Sequence, residues 1–282
     1  MSRHPSSRVT PPTLVALTLV LIGVGADGLS RADDQDAIDY RQHIMRTMDE
    51  DLGAIRQILN GQIGPDSLAT HAQILAVTAS TAKMAFTAKI PGGKSKPDVW
   101  AKGPDFAQRL DKLTAATADL ANAAKQGGVA ATTPKLEAAL GCKGCHDVYM
   151  SSPAQRATPD SKSAIEYREH IMNALNEQSG ALGEILSTAI ADDNAPAHLE
   201  VIALGASIAL KAFEPKIPGG EAKPDVWTHW PDFSKRMNEF AQKTAQSVKR
   251  AKEQGKEAAL SNILDALTCK DCHDVYREEK KK

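Results

Sequence analysis

Cys142-Lys143-Gly144-Cys145-His146-Asp147-Val148-Tyr149 returns 127 residues later as Cys269-Lys270-Asp271-Cys272-His273-Asp274-Val275-Tyr276. C-x-x-C-H is the attachment signature of c-type haem. On a helix its two cysteines and its histidine stand at i, i+3 and i+4, on one face. Two thiols can then bond to the porphyrin edge while the imidazole reaches the iron from the same side. The two copies hold all four cysteines of the chain. Two other chemistries use such pairs. A dithiol oxidoreductase site usually sits near a βαβ pattern, and no strands are read here. Zinc needs four converging ligands, but the pairs lie too far apart for a zinc-finger loop, and zinc leaves both histidines unexplained.

Outward from this stretch, the chain is duplicated. Tyr40-Arg41 returns as Tyr167-Arg168, Met45 as Met172, Ile90-Pro91-Gly92-Gly93 as Ile217-Pro218-Gly219-Gly220, and Pro97-Asp98-Val99-Trp100 as Pro224-Asp225-Val226-Trp227, all at the same offset. The period is far longer than a solenoid repeat, so each copy reads as a domain. Residues 33–150 form the first, 151–162 a Ser/Pro-containing linker, and 163–282 the second.

Each copy reads as four helices. The first carries apolar residues at helical spacing over Asp36–Asn60: Ile38, Met45, Met48, Leu52, Ile55 and Leu59. Ser163-Ala164-Ile165-Glu166 has the capping-box form for its counterpart. Second helices are expected over Ser67–Ala88 and Pro196–Glu214, followed by a Pro/Gly/Lys-rich loop. Pro104 and Pro231 open the third helices. The fourth begin near Pro134 and Lys256 and carry the Cys-His stretch towards their ends. Helices joined by short connections indicate antiparallel packing. The fold class is therefore all-α: two tandem antiparallel four-helix bundles.

The 282 residues carry a formal net charge of −1, which gives no reason to expect nucleic acid or an anionic membrane as partner. Arg3 and Arg8, then the apolar run Leu14–Ala26, read as a secretory signal over residues 1–32, with cleavage after Ser30-Arg31-Ala32. The run is short for a membrane span, so no stable span is expected once the signal is cleaved. The folded part is expected in the periplasm, where covalent haem attachment takes place.

With these motifs in place, the chain resembles the class II c-type cytochromes, the cytochrome c' group and its low-spin relatives. Tyr40-Arg41-Gln42 with Met45, Pro97-Asp98-Val99-Trp100 followed by Phe106, and the Cys142–Tyr149 stretch carry the likeness. It covers about 36–149 and 163–277, although tandem duplication departs from the usual one-domain form. The resemblance implies two covalent haem c groups held by Cys142, Cys145, Cys269 and Cys272, with His146 and His273 on the irons. It places Met45 and Met172, four residues after each arginine, on the opposite faces. It also offers Arg41 and Arg168 as partners of a haem propionate. A thioether bond to iron would close the sixth site and raise the potential. That gives the main expectation, an electron-transfer protein serving a redox partner protein. Methionine as core filling beside an open iron gives the alternative, a protein that binds NO or CO. No set of residues reads as a substrate-turnover site, so no enzyme is expected.

The other repeated histidines fit these roles less well. His43 and His170 stand two residues before each methionine and could replace it only in a rotated register, as bis-His ligation. His71 and His198, on the second helix, read as polar surface residues. In the resemblance, a basic residue four after the haem histidine shields the proximal side; Arg277 fits and Met150 does not. Members of the group often dimerise through their early helices, and here the two copies could pair within one chain.

Overall fold

The structure is a computed structural model that describes residues 26–139, 141–151, 164–187 and 192–278. Most of the expected signal, the linker, the capping Ser163 and the basic end lie outside the described residues. Among the described residues there are helices and isolated bridges and no strands.

The first half consists of α1 (Ala26–Leu59), α2 (Leu68–Ala82), the short α3 (Asp98–Ala101), α4 (Gly103–Ala139) and α5 (Cys142–Tyr149). The second repeats the order as α6 (Ala164–Leu186), α7 (Ala195–Ala209), α8 (Asp225–Thr228), α9 (Trp230–Gln254), α10 (Lys256–Ala266) and α11 (Cys269–Tyr276). Each half is a four-helix bundle once α4 is divided at Gly128, whose φ of 56° breaks the helix. Gly255, its counterpart, has φ 88° between α9 and α10. Glycine alone takes such angles without a Cβ penalty. The fourth helix of the first half thus starts at this turn and not near Pro134. The second helices are shorter than expected, tightening into 3-10 turns at Met84–Phe86 and Leu210–Phe213. The Cys-His stretches are separate short helices, divided from the fourth helix at Gly141 and at Leu267–Thr268.

The loop between second and third helices is tied down in the same way in both halves. Ser95 bridges Met150, and Ala222 bridges Arg277. Lys96 N donates to Tyr149 O, and Lys223 N to Tyr276 O. Trp100 Nε1 donates to Phe86 O and Trp227 Nε1 to Phe213 O. The loop therefore links the second helix to the end of the Cys-His helix.

On α1 the buried stripe is Ala37, Tyr40, Arg41, Ile44, Thr47, Met48, Asp51, Leu52, Gly53, Ala54, Ile55, Gln57 and Ile58. It is broader than the apolar pattern and rotated from it, because α1 packs on α2 and also on α6 of the other half. Helix α2 likewise meets α7. The two halves thus pair through their first two helices. The stretch Ala195–Phe213 is long and apolar enough to cross a membrane, but more than half of it is buried in this packing.

Candidate haem sites

Each Cys-His helix is short, and its side chains are held from outside it. Tyr149 Oη donates to Asp105 Oδ2, which also accepts from Arg109 Nε at 2.7 Å. In the second half Tyr276 Oη donates to Asp232 at 2.6 Å, and Arg236 Nε to the same oxygen at 2.7 Å. These bonds hold both carboxyls below the usual range, the tyrosine first and the arginine second. Burial, then the bond to Asp232, pushes Tyr276 up to about 12. Edge-on ring contacts link Phe86, Phe106 and Tyr149, and Phe213, Phe233 and Tyr276. The last residue of each Cys-His helix is therefore locked to the start of the third helix, and the preceding residues are fixed in place.

On this support Cys142, Cys145 and His146 are partly buried, and so are Cys272 and His273, while Cys269 is exposed. All four thiols are free. Burial pushes the Cys145 and Cys272 thiols up. Burial, and then the Arg277 guanidinium, lowers His273. A neutral imidazole is the form that ligates a metal. Arg277 is held by Glu221, with Nε and Nη2 at 2.6 and 2.5 Å from one carboxylate oxygen. The first half has Met150 and Lys94 at these positions.

Met45 and Met172 are half-buried on α1 and α6 and pack against the hydrophobic core. One turn before them, Arg41 and Arg168 are buried, each 3% exposed. Arg41 stacks on Phe86 and Trp100 and donates Nη1 to Ile90 O at 2.9 Å. Arg168 stacks on Phe213 and Trp227 and donates to Ile217 O and Gly219 O. Both arginines thus pin the loop to the first helix, a role that nothing in the helical periodicity indicated. Arg41 Nη2 remains buried without a partner.

Two features suit a flat anionic macrocycle. The first helix packs on the second and on the other half, yet it makes no extensive contact with the Cys-His helix of its own bundle. The orphaned Arg41 Nη2 is a buried cationic donor that a carboxylate would satisfy. Among the described residues no group of three or more His, Cys, Asp or Glu is placed to hold a metal ion.

The structure places both repeated pairs of histidines and corrects the surface reading of one. His43 and His170 do not take the methionine's place, because their rings turn to the other half. His43 Nδ1 meets Glu177 at 2.7 Å, and His170 Nδ1 meets Glu50 at 2.6 Å. His71 and His198 are not surface residues; they are 1% and 0% exposed, bonded across the interface to Tyr167 and Tyr40. Their recurrence at the 127-residue offset was the signal that could have marked them as structural.

Comparison with known proteins matches the duplication. A family model described as Cytochrome C' fits residues 36–150 and again 163–277. The cytochrome c' of Alcaligenes xylosoxydans is 28% identical over 125 residues, 42% of this chain and 95% of that protein. The cytochrome c' of Rhodospirillum rubrum is 31% identical over 132 residues, 45% of this chain and 88% of its own. Among solved structures, a nitric oxide complex of a point mutant of cytochrome c prime from Alcaligenes xylosoxidans aligns at 24% identity and TM-score 0.40. It covers 42% of this chain and 97% of that one. With both halves matched, the chain belongs to the cytochrome c' family, whose members carry covalently bound haem c.

Proposed function

We propose that this is an exported dihaem cytochrome that binds a small diatomic gas, NO or CO, at the face of each haem opposite its histidine. The observation that carries the reading is the family match in both halves, each with its own Cys-x-x-Cys-His helix. Cys142 and Cys145 would anchor one porphyrin and Cys269 and Cys272 the other. His146 and His273 would hold the irons. Bound haem supplies the metal at which gas is taken up. The protein's own contribution is orientation and exclusion of water. Tyr149 and Tyr276 fix the proximal helices, and Arg41 offers Nη2 to a propionate. Met45 and Met172, packed against the core, would line each haem pocket with thioethers. The reading is of a binding protein and not of an enzyme, placed in the periplasm by the N-terminal signal.

A second reading rests on a specific observation: a methionine recurs four residues after the buried arginine in both halves. If Met45 and Met172 ligate iron, the sites are closed and the protein carries electrons to a partner protein. An optical spectrum of the reduced protein with and without CO separates the two. An immediate, large change is expected for open sites. An unchanged spectrum would reverse the assignment, and the oxidised protein would then show sulfur-to-iron charge transfer that disappears in Met45→Ala and Met172→Ala.

A further inference from the structure

The buried contacts between the halves come in two copies related by the duplication, and the copies differ chemically. One lies between α1 and α7. Asn194 Nδ2 donates to Thr81 O at 3.3 Å and to the Tyr40 hydroxyl oxygen at 2.9 Å. A carbonyl can only accept, which fixes that amide. The Tyr40 proton is then free to go to His198 Nε2, at 2.8 Å. On the other edge of the ring, the Thr47 hydroxyl gives its proton to His43 O and so accepts from Gln178 Nε2 at 2.8 Å. That turns Gln178 Oε1 to His198 Nδ1, also at 2.8 Å, and Nδ1 must donate. Both ring nitrogens, the Tyr40 hydroxyl and the Gln178 amide are used in this contact, and only a neutral His198 satisfies it.

The other copy lies between α6 and the first half. His71 Nε2 meets the Tyr167 hydroxyl at 3.0 Å, and His71 Nδ1 meets Asp51 Oδ1 at 2.8 Å. Asp51 occupies the position of Gln178, and Ala174 that of Thr47. No hydroxyl is therefore present for the second carboxylate oxygen, and Asp51 Oδ2 is buried without a partner. A half-satisfied buried carboxylate is favoured in its protonated form.

We propose that the interface is a proton-driven rocker: acidification loosens the α1–α7 contact at His198 and firms the α2–α6 contact at Asp51 and His71, and rising pH does the reverse. A proton on His198 Nε2 would displace the Tyr40 donor and leave a charge in a dry contact. Burial accordingly lowers His198 to about 4. Stability from this side is complete above the ordinary histidine value and is lost as pH falls from about 6.5 towards 4. Burial raises Asp51, so stability from that side is present at low pH and lost as pH rises through the raised value. The charged groups near Asp51 are Glu50 on its own helix, His71 on α2 and His170 on α6, and Asp66, in the turn before α2, acts on Tyr167. Glu50 and His170 face each other, with Oε2 2.6 Å from Nδ1. Near His198 the titratable groups are Tyr40 and His43 on α1, and His43 is paired with Glu177 on α6. The helices that would tilt, α1 and α6, are the ones that bear Met45 and Met172.

Native-state hydrogen exchange of the intact chain, corrected for intrinsic rates, tests each side separately. Between pH 7 and pH 5 the protection of amides around Tyr40 and His198 should fall at least tenfold. Protection around His71 and Tyr167 should hold or rise. The double variant Asp51→Gln/Ala174→Thr copies the neutral contact onto the second side and should make that side independent of pH. Protection moving the same way on both sides of the wild-type protein would overturn the proposal. So would a double variant that keeps the wild-type pH response. If the double variant does not fold, the ring nitrogen shifts of wild-type His198 decide: an Nδ1–H tautomer held from pH 8 to pH 5 supports the rocker, and protonation above pH 6 refutes it.

Discussion

At the scale of single residues, one buried arginine in each half ties the long loop to the first helix. A guanidinium can stack on two aromatic rings while its fork reaches carbonyls in the ring plane; a lysine ammonium cannot do both. Arg168 does this completely, with carbonyl partners for both Nη1 and Nη2. Arg41 bonds one carbonyl and has a spare donor. Arg168→Lys should therefore destabilise the haem-free chain by about 2 kcal/mol, through two lost bonds and the lost stacking. Arg41→Lys should cost less, since one bond is at stake. Urea unfolding at neutral pH measures both, and equal costs would contradict the assignment of the spare donor. Arg41 was legible in the sequence as part of a motif with Met45, but its partners were not. Ile90, Phe86 and Trp100 lie 45 to 59 residues further along the chain, and no periodic pattern encodes which carbonyl a guanidinium will meet.

At the scale of helices, the interface explains what periodicity left out. The expected stripe on α1 counted only apolar residues, so it found the side facing its own bundle. The side facing the other half is built from Tyr40, His43, Thr47, Gly53 and Gln57, which a hydrophobic pattern scores as surface. The helix count and the all-α class were readable because they depend on local spacing and on Gly and Pro breaks. Polar residues paired across a domain contact could be recognised only by their recurrence. Glycine sets how closely the helices approach. A Cβ on Gly53 would stand 2.6 Å from His170 Cε1, and one on Gly180 would stand 2.5 Å from His43 Cε1. Neither imidazole can move freely, because Glu50 holds His170 and Glu177 holds His43. Gly53→Ala and Gly180→Ala should each destabilise the protein by about 1–3 kcal/mol despite the better helix propensity of alanine. Alanine that leaves the unfolding midpoint unchanged or raised would mean that α1 and α6 do not pack this closely in solution.

At the scale of the molecule, duplication has made two sites on one scaffold and then let them diverge on the histidine side. The backbone that passes each proximal helix is the same in both halves: Met150 N donates to His146 O, and Arg277 N to His273 O. The side chains differ. In the second half the Arg277 charge lies close enough to lower His273, and Arg277 acts on it more strongly than Glu221, which opposes it. Met150 brings no charge to the same place in the first half, and Lys94, at the Glu221 position, is exposed. A positive charge near a ligating imidazole disfavours the oxidised, more positive iron and so raises the reduction potential. Once both haems are attached, an optical redox titration should resolve two midpoints, with the second half the higher. Arg277→Met removes the charge, so the higher midpoint should fall towards the lower one while the lower stays in place. A single midpoint in the unmodified protein would mean that both irons sense the same field and that the Arg277 charge has no electrostatic effect on them. If both midpoints moved together in Arg277→Met, the substitution would be acting through the contact between the halves and not through its own haem.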